Sequence, residues 1–421
     1  MAGLSCGQAL GESQDFDVTV YDTGRLRPGG RCSSREPGDP IKDNDDDESK
    51  CYPLLSQFRY DHAAQLIALS NDQNQFPEFQ TQLETWKEQG LVRKLPPKSV
   101  WKVSKNGKAI PIDGQSFYHG TDGMGSLPVS MVKQAANFRL EQDVWVSPSS
   151  GVRYQKSNGG WKLQANGKTL GFYDRLIIAH NGKCADRIMS KTPAKDVHWL
   201  LRVNFSPTVP AHGGKKMTLN SLYSLTVVLK SDSAWSKALP NDFVCGFMEH
   251  PKLRMITCQT RKYPNYDNSD YEVWNILSSA KFAKNYKAPQ EFLPDDVVEQ
   301  VTDLLVQAVN ESLNIQGEQI KLLESRVQLW GAAVPLNVWN NGQGFLYDSD
   351  HNVAVAGDWL LEPSIAGAWT SGYRLANHLK KNPINAETIG LKGQFERSEA
   401  VNKLGIASLP QQQEQKQEQP Q

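Results

Sequence analysis

The sequence holds no Cys-x-x-Cys pair, no histidines at metal-ligand spacing and no excess of either charge. Its six cysteines, Cys6, Cys32, Cys51, Cys184, Cys245 and Cys258, are scattered. That spacing speaks against a zinc site or a disulfide framework and for reduced, mostly buried thiols in a reducing compartment. Lys+Arg and Asp+Glu both total 46, so the basic excess of a nucleic-acid or anionic-membrane binder is missing. No apolar run approaches the roughly 18 residues of a membrane-spanning helix; the longest, such as Leu222 to Leu229, are strand-sized. Gly-x-Ser-x-Gly, His-Glu-x-x-His and P-loop patterns are absent too, which removes the usual hydrolase, zinc-protease and NTPase signatures.

At 421 residues the chain is too long for one typical core and fits two or three domains. Ala2 to Leu10 reads as a helix with small residues on its packing face, and Asp17 to Asp22 as a β-branched strand ending in an acid. Residues 36–56 read as a solvated insertion around the acidic run Asp45 to Glu48, a charge pattern and not a metal site. Phe76 to Gln89 and Ser126 to Asn137 suggest helices, and Val100 to Ile112 a hairpin turning at Asn106-Gly107. From about 186 to 325 longer strands point to an antiparallel sheet. A helix follows with apolar positions at Val297, Val301, Leu304, Leu305, Ala308 and Val309. The end, from Gln411 to Gln421, is almost all Gln, Glu, Lys and Pro, a disordered composition.

A dinucleotide site needs a strand, a glycine turn, a helix N-terminus facing the pyrophosphate, and an acid ending the next strand. Here the helix is Leu4 to Leu10, the strand Val18 to Tyr21 and the acid Asp22, 19 residues after Gly3. Gly3 then takes the third glycine position of G-x-G-x-x-G. The first strand and first two glycines would precede Met1, and a polypeptide starting there is expected to hold a dinucleotide weakly or to be unstable. Gly29-Gly30-Arg31 lets backbone approach a ligand and offers a charge for a diphosphate, or forms an ordinary turn. Val353 to Asp358 reads as a buried strand delivering a carboxylate. Near Ile365 a second helix starts, with Gly367 in its first turn and free N–H groups for phosphate or flavin oxygens.

Taken in order, these motifs resemble the renalase-like branch of FAD-dependent amine-oxidase-type proteins. They are joined by Tyr60-Asp61-His62-Ala63-Ala64-Gln65, by Gly123-Met124 and by Gly367-Ala368-Trp369-Thr370-Ser371-Gly372. The resemblance spans roughly residues 1–380 and is thin from 186 to 325. It implies that Gly3 is the third fingerprint glycine and Asp22 the ribose-binding acid. Gly29, Gly30 and Arg31 would lie along the diphosphate and flavin, Asp358 would bind the ribityl chain, and Ile365, Ala366 and Gly367 would meet the flavin end. Ala63 and Leu66 stand where the family pattern has glycine and tyrosine.

The resemblance further implies an α/β fold, with a Rossmann-like FAD-binding domain of discontinuous segments carrying an inserted α+β substrate domain of mixed or antiparallel sheet. The FAD domain is expected over 1–75, 116–185 and 326–381, the substrate domain over 76–115 and 186–325, and a polar, largely disordered tail over 382–421. FAD is the expected cofactor. A small molecule, such as a dihydronicotinamide dinucleotide or an amine, is the expected substrate, with oxygen reoxidising the flavin. The alternative is a non-catalytic or FAD-deficient scaffold. No catalytic side chain is required; His62 is a candidate proton carrier or a strand anchor. His180 reads as a loop residue, and Trp330, Trp339 and Trp359 as core or pocket walls. The protein reads as soluble and intracellular, in no assigned compartment.

Overall fold

The computed structural model describes residues 1–40, 52–69, 75–134, 137–266, 269–316 and 320–398. The acidic run Asp45 to Glu48 and the Gln-rich end lie outside the described residues.

Helix α1 (Ala2–Gly11) leads into strand β1 (Val18–Tyr21), and β2 (Val100–Val103) and β3 (Ala109–Pro111) form the expected hairpin. Next come β4 (Phe138–Glu141) and β5 (Leu176–Ile178). The middle of the chain supplies β6 (Leu222–Lys230), β7 (Cys245–Met248), β8 (Leu253–Cys258) and β9 (Tyr271–Ser278). Helix α2 (Asp295–Ser312) and β10 (Glu324–Trp330) follow, then β11 (Phe345–Asp348), β12 (Val353–Ala356) and α3 (Ile365–Lys381).

Seven of these strands build one sheet in the order β10-β6-β9-β8-β7-β2-β3. Only β7 and β2 run parallel; the other pairings are antiparallel. β6 and β9 are buried almost end to end because both faces are covered, which is why they read as near-continuous apolar runs. On one face α2 presses Val301, Leu305, Ala308 and Val309 into a core with Leu225, Ile256 and Trp274. The other face turns toward the remaining half of the fold through Met255 and Leu277. The sheet draws its strands from residues 100–111, 222–278 and 324–330, so the two halves of the fold interleave along the chain.

The half that carries α1 and α3 is a Rossmann-like layer of parallel strands and helices. β1 pairs in parallel with β4, and β5 pairs in parallel with β12, which has β11 antiparallel on its far side. Helix α1 packs against α3 so closely that a Cβ on Gly372 would lie 2.0 Å from the Ala2 carbonyl oxygen; only glycine permits that approach. The two strand pairs are not joined among the described residues. β1 and β5 each leave one edge open, and both edges line the same cavity.

Residues 382–398 correct the expectation of a largely disordered tail from 382. Gln394 to Arg397 form a strand antiparallel to Asn337–Asn340, and Phe395 is buried against Trp339 with ring centroids 5.0 Å apart. The polar composition hid a strand with one apolar anchor. The span Phe58 to Leu69 contributes the short strands Tyr60–Asp61 and Ile67–Ala68.

Candidate functional site

One cavity of about 1370 Å³ runs between the two halves. At its nucleotide end stands the N-terminus of α1, with Gly3 and Leu4 on the wall. The first-turn N–H groups of a helix have no intrahelical acceptor and carry the positive end of its dipole, so they favour an anion. Asp22, just beyond β1, is on the same wall, and its Oδ1 accepts from the Gly24 N–H at 2.6 Å. Met1 lines the cavity there too.

The turn at Gly29 and Gly30 lines the next stretch. Gly29 adopts φ 121°, and a Cβ there would lie 2.6 Å from Pro128 Cγ, so backbone conformation and space both require glycine. The turn delivers Arg31, whose Nη1 donates to Asp358 Oδ2 at 2.8 Å and to the Ala333 carbonyl at 2.7 Å. Burial pulls the Arg31 pKa down, but Asp358 overrides it and holds the guanidinium above its ordinary value. Asp358 follows β12 and precedes a fully buried Trp359, whose Nε1 has no acceptor and which also lines the cavity.

The N-terminus of α3 closes this end. Ile365 and Ala366 line the cavity, and their first-turn N–H groups have no intrahelical acceptor. Gly367 does not line it. Its N–H is taken by the Ser364 cap at 3.0 Å, and a Cβ there would lie 2.2 Å from the Glu362 carbonyl oxygen. Gly367 therefore serves the turn into α3. Gly3, Asp22, Gly29, Gly30, Arg31, Asp358, Ile365 and Ala366 do share the one cavity.

His62 does not reach that cavity either. It is buried, stacked on Trp330 with ring centroids 5.6 Å apart, and its Nε2 lies 3.0 Å from Ser33 Oγ. Desolvation, with Arg35 and Arg326 adding to it, lowers its pKa to about 3. Its contacts with Ser33 and Trp330 anchor the strand end. Its neighbour Asp61 is the hub of a buried network. It accepts from Lys262 Nζ, Ser34 Oγ and Tyr263 Oη, each at 2.5 Å, and from the Met124 N–H at 2.9 Å. Burial would raise the Asp61 pKa, but Lys262 and these donors lower it. Lys262 also donates to the Gln65 carbonyl, and Gln259 to Gln65 Oε1, which fixes the cavity-lining segment Ala63 to Gln65.

Sequence reasoning missed the opposite wall. Phe247, Arg254, Met255 and Leu277 reach the cavity from β7, β8 and β9, with Trp145 near β4; Trp330, read from the sequence as a core or pocket wall, lines it at the end of β10. His180, read as a loop residue, lines the cavity just past β5. No local motif marks these residues; the sheet brings them together.

Residues 1–83 match the family model of the NAD(P)-binding Rossmann-like domain. The whole fold is similar to that of a candidate protoporphyrinogen oxidase from Exiguobacterium sp. 255-15, with a TM-score of 0.58 and 9% identity over 90% of this chain and 97% of that one. A putrescine oxidase variant redesigned in its cofactor binding is similar at a TM-score of 0.56 and 11% identity, over 90% of this chain and 96% of that one. A fatty acid isomerase from P. acnes is similar at a TM-score of 0.53 and 11% identity, over 90% and 96%. No curated protein matches the sequence. The fold is thus a Rossmann-like nucleotide-binding domain carrying a sheet-based second half, an architecture shared with oxidases and an isomerase.

Proposed function

We propose that the protein is an FAD-dependent oxidoreductase that transfers a hydride from a small organic substrate to the flavin. The observation that carries this is the single cavity where two helix N-termini, the Gly29-Gly30 turn, Asp22 and the Arg31–Asp358 pair converge. These are the groups a dinucleotide needs. In this reading the N–H groups of α1 would hold the pyrophosphate, Asp22 the ribose hydroxyls, Asp358 the ribityl hydroxyls, and the N–H groups of Ile365 and Ala366 the flavin's carbonyl end. Trp359 Nε1, a buried donor without an acceptor, suits a polar ligand better than an empty cavity.

Bound there, FAD supplies the hydride acceptor. The chain's own residues bind and orient. Arg31 neutralises charge, and the Asp61–Lys262 network holds the wall at Ala63 to Gln65. The second half lines the cavity with residues of β7, β8 and β9. No side-chain nucleophile is needed.

The finer reading is a renalase-like activity on a dihydronicotinamide, with an amine as the second candidate and oxygen reoxidising the flavin. Anaerobic mixing of the FAD-loaded protein with each candidate tests it. Bleaching of the flavin's visible band by a dihydronicotinamide, reversed by air, is the expected result. Bleaching by an amine alone would favour the second candidate. No bleaching by either would leave the non-catalytic scaffold as the better reading.

A further inference from the structure

We infer that the second-half end of the cavity recognises an anionic head group, held by Arg254, on a ligand whose apolar body lies against Phe247, Met255 and Leu277. The inference rests on the oxidoreductase reading only in calling that ligand the substrate.

Arg254 sits where β8 slips register against β9: Leu253 faces Ser278, and Met255 already faces Leu277. The extra residue of such a bulge leaves the ladder, and bulges beside binding sites re-aim a side chain. Here the side chain lines the cavity, with its Nε buried and without an acceptor. The other cavity-lining arginines all have acceptors: Arg31 on Asp358, Arg139 on Asp17, Arg175 on the Pro383 carbonyl. Among the described residues no carboxylate pairs with Arg254. Burial lowers its pKa to about 10, with only Cys245 acting the other way, so it stays charged at neutral pH.

A half-buried guanidinium without a counter-charge is costly to keep, and an entering carboxylate or phosphate converts that cost into a bidentate, charge-assisted contact. The neighbours are apolar: Met255 and Leu277 are buried, and Phe247 and Leu66 pack against them. They offer a cationic ligand nothing to offset repulsion by Arg254. The geometry therefore favours an amphipathic anion over an amine.

The test needs no flavin turnover. Octanoate, octyl phosphate, octanamide and octylamine are titrated against the protein, reading tryptophan fluorescence (Trp330 lines the cavity) and melting temperature. At least one anion should bind about tenfold or more tightly than octanamide, with octylamine weakest. The better anion tells carboxylate from phosphate. Arg254→Met should erase the preference and melt no lower than the wild type, because it removes an unpaired charge; Arg254→Lys should keep part of the preference. Octanamide binding as tightly as both anions, or a preference that survives Arg254→Met, would overturn the inference. The wild-type flavin spectrum is read in parallel. Anion preference without flavin binding defeats the oxidoreductase reading alone, and flavin binding without the preference defeats this inference alone.

Discussion

Lys262 Nζ lies 2.5 Å from Asp61 Oδ2, and neither side chain is exposed to solvent. The pair joins the chain's first segment to Lys262 on the short helix Gln259–Lys262 that follows β8, so it ties that segment to the seven-stranded sheet. Breaking a buried pair leaves an uncompensated charge and costs about 3–5 kcal/mol. Asp61→Asn is expected to destabilise the protein by that order in urea unfolding, and adding Lys262→Met should recover much of the loss. An Asp61→Asn protein as stable as the wild type would show that the pair does not join the halves.

Two buried histidines make the protein acid-sensitive. Desolvation first, with nearby cations adding, lowers His62 to about 3 and His119 to about 4 from an ordinary 6.5. Unfolding restores the ordinary value, so between these pH limits the unfolded state binds more protons and stability rises with pH. The contribution is fully present above about pH 6.5 and is lost as the pH falls toward the folded values. Together they should remove about 3–4 kcal/mol between pH 7 and pH 5. Urea midpoints of the wild type and of His62→Gln/His119→Gln, compared at both pH values, check this. An equal fall in the double variant would assign the acid sensitivity elsewhere.

The open edges of β1 and β5 predict a gain on adding a strand. Grafting an apolar, β-branched run ending in Gly-x-Gly ahead of Met1 should pair both edges in parallel. A higher melting temperature and tighter FAD binding are expected. An unchanged melt with unchanged flavin affinity would show that the edges do not accept a strand.

Asp358→Ala removes the proposed acceptor for the ribityl hydroxyls and leaves Arg31 without its carboxylate. FAD affinity should fall about 10- to 100-fold, the range of one charge-assisted hydrogen bond. Gly367→Ala should instead act on stability, because its Cβ would strike the Glu362 backbone and not the cavity. Flavin fluorescence titrations and thermal melts of the two variants separate these effects.

What was legible in the sequence was local. The α1–β1–Asp22 unit, the β2–β3 hairpin and the β12–α3 unit carry period, cap and turn signals within a few residues, and the structure has them. The Gln394–Arg397 strand was hidden because its one apolar anchor, Phe395, gains meaning only against Trp339. His62 looked like a proton carrier beside an acid. Ser33 and Trp330, which bury it, are 29 and 268 residues away in sequence. Arg254 carried no signal, because what singles it out is the absence of a counter-charge in three dimensions.

The central claim is that the cavity holds FAD, and equilibrium titration tests it most directly. Purified protein is titrated with FAD, gel-filtered, and read by visible absorbance, with Asp358→Ala in parallel. The account predicts one flavin co-eluting per wild-type chain and markedly less with the variant. FAD passing free of a folded wild-type protein at every concentration would contradict it and leave a Rossmann-like scaffold without flavin chemistry.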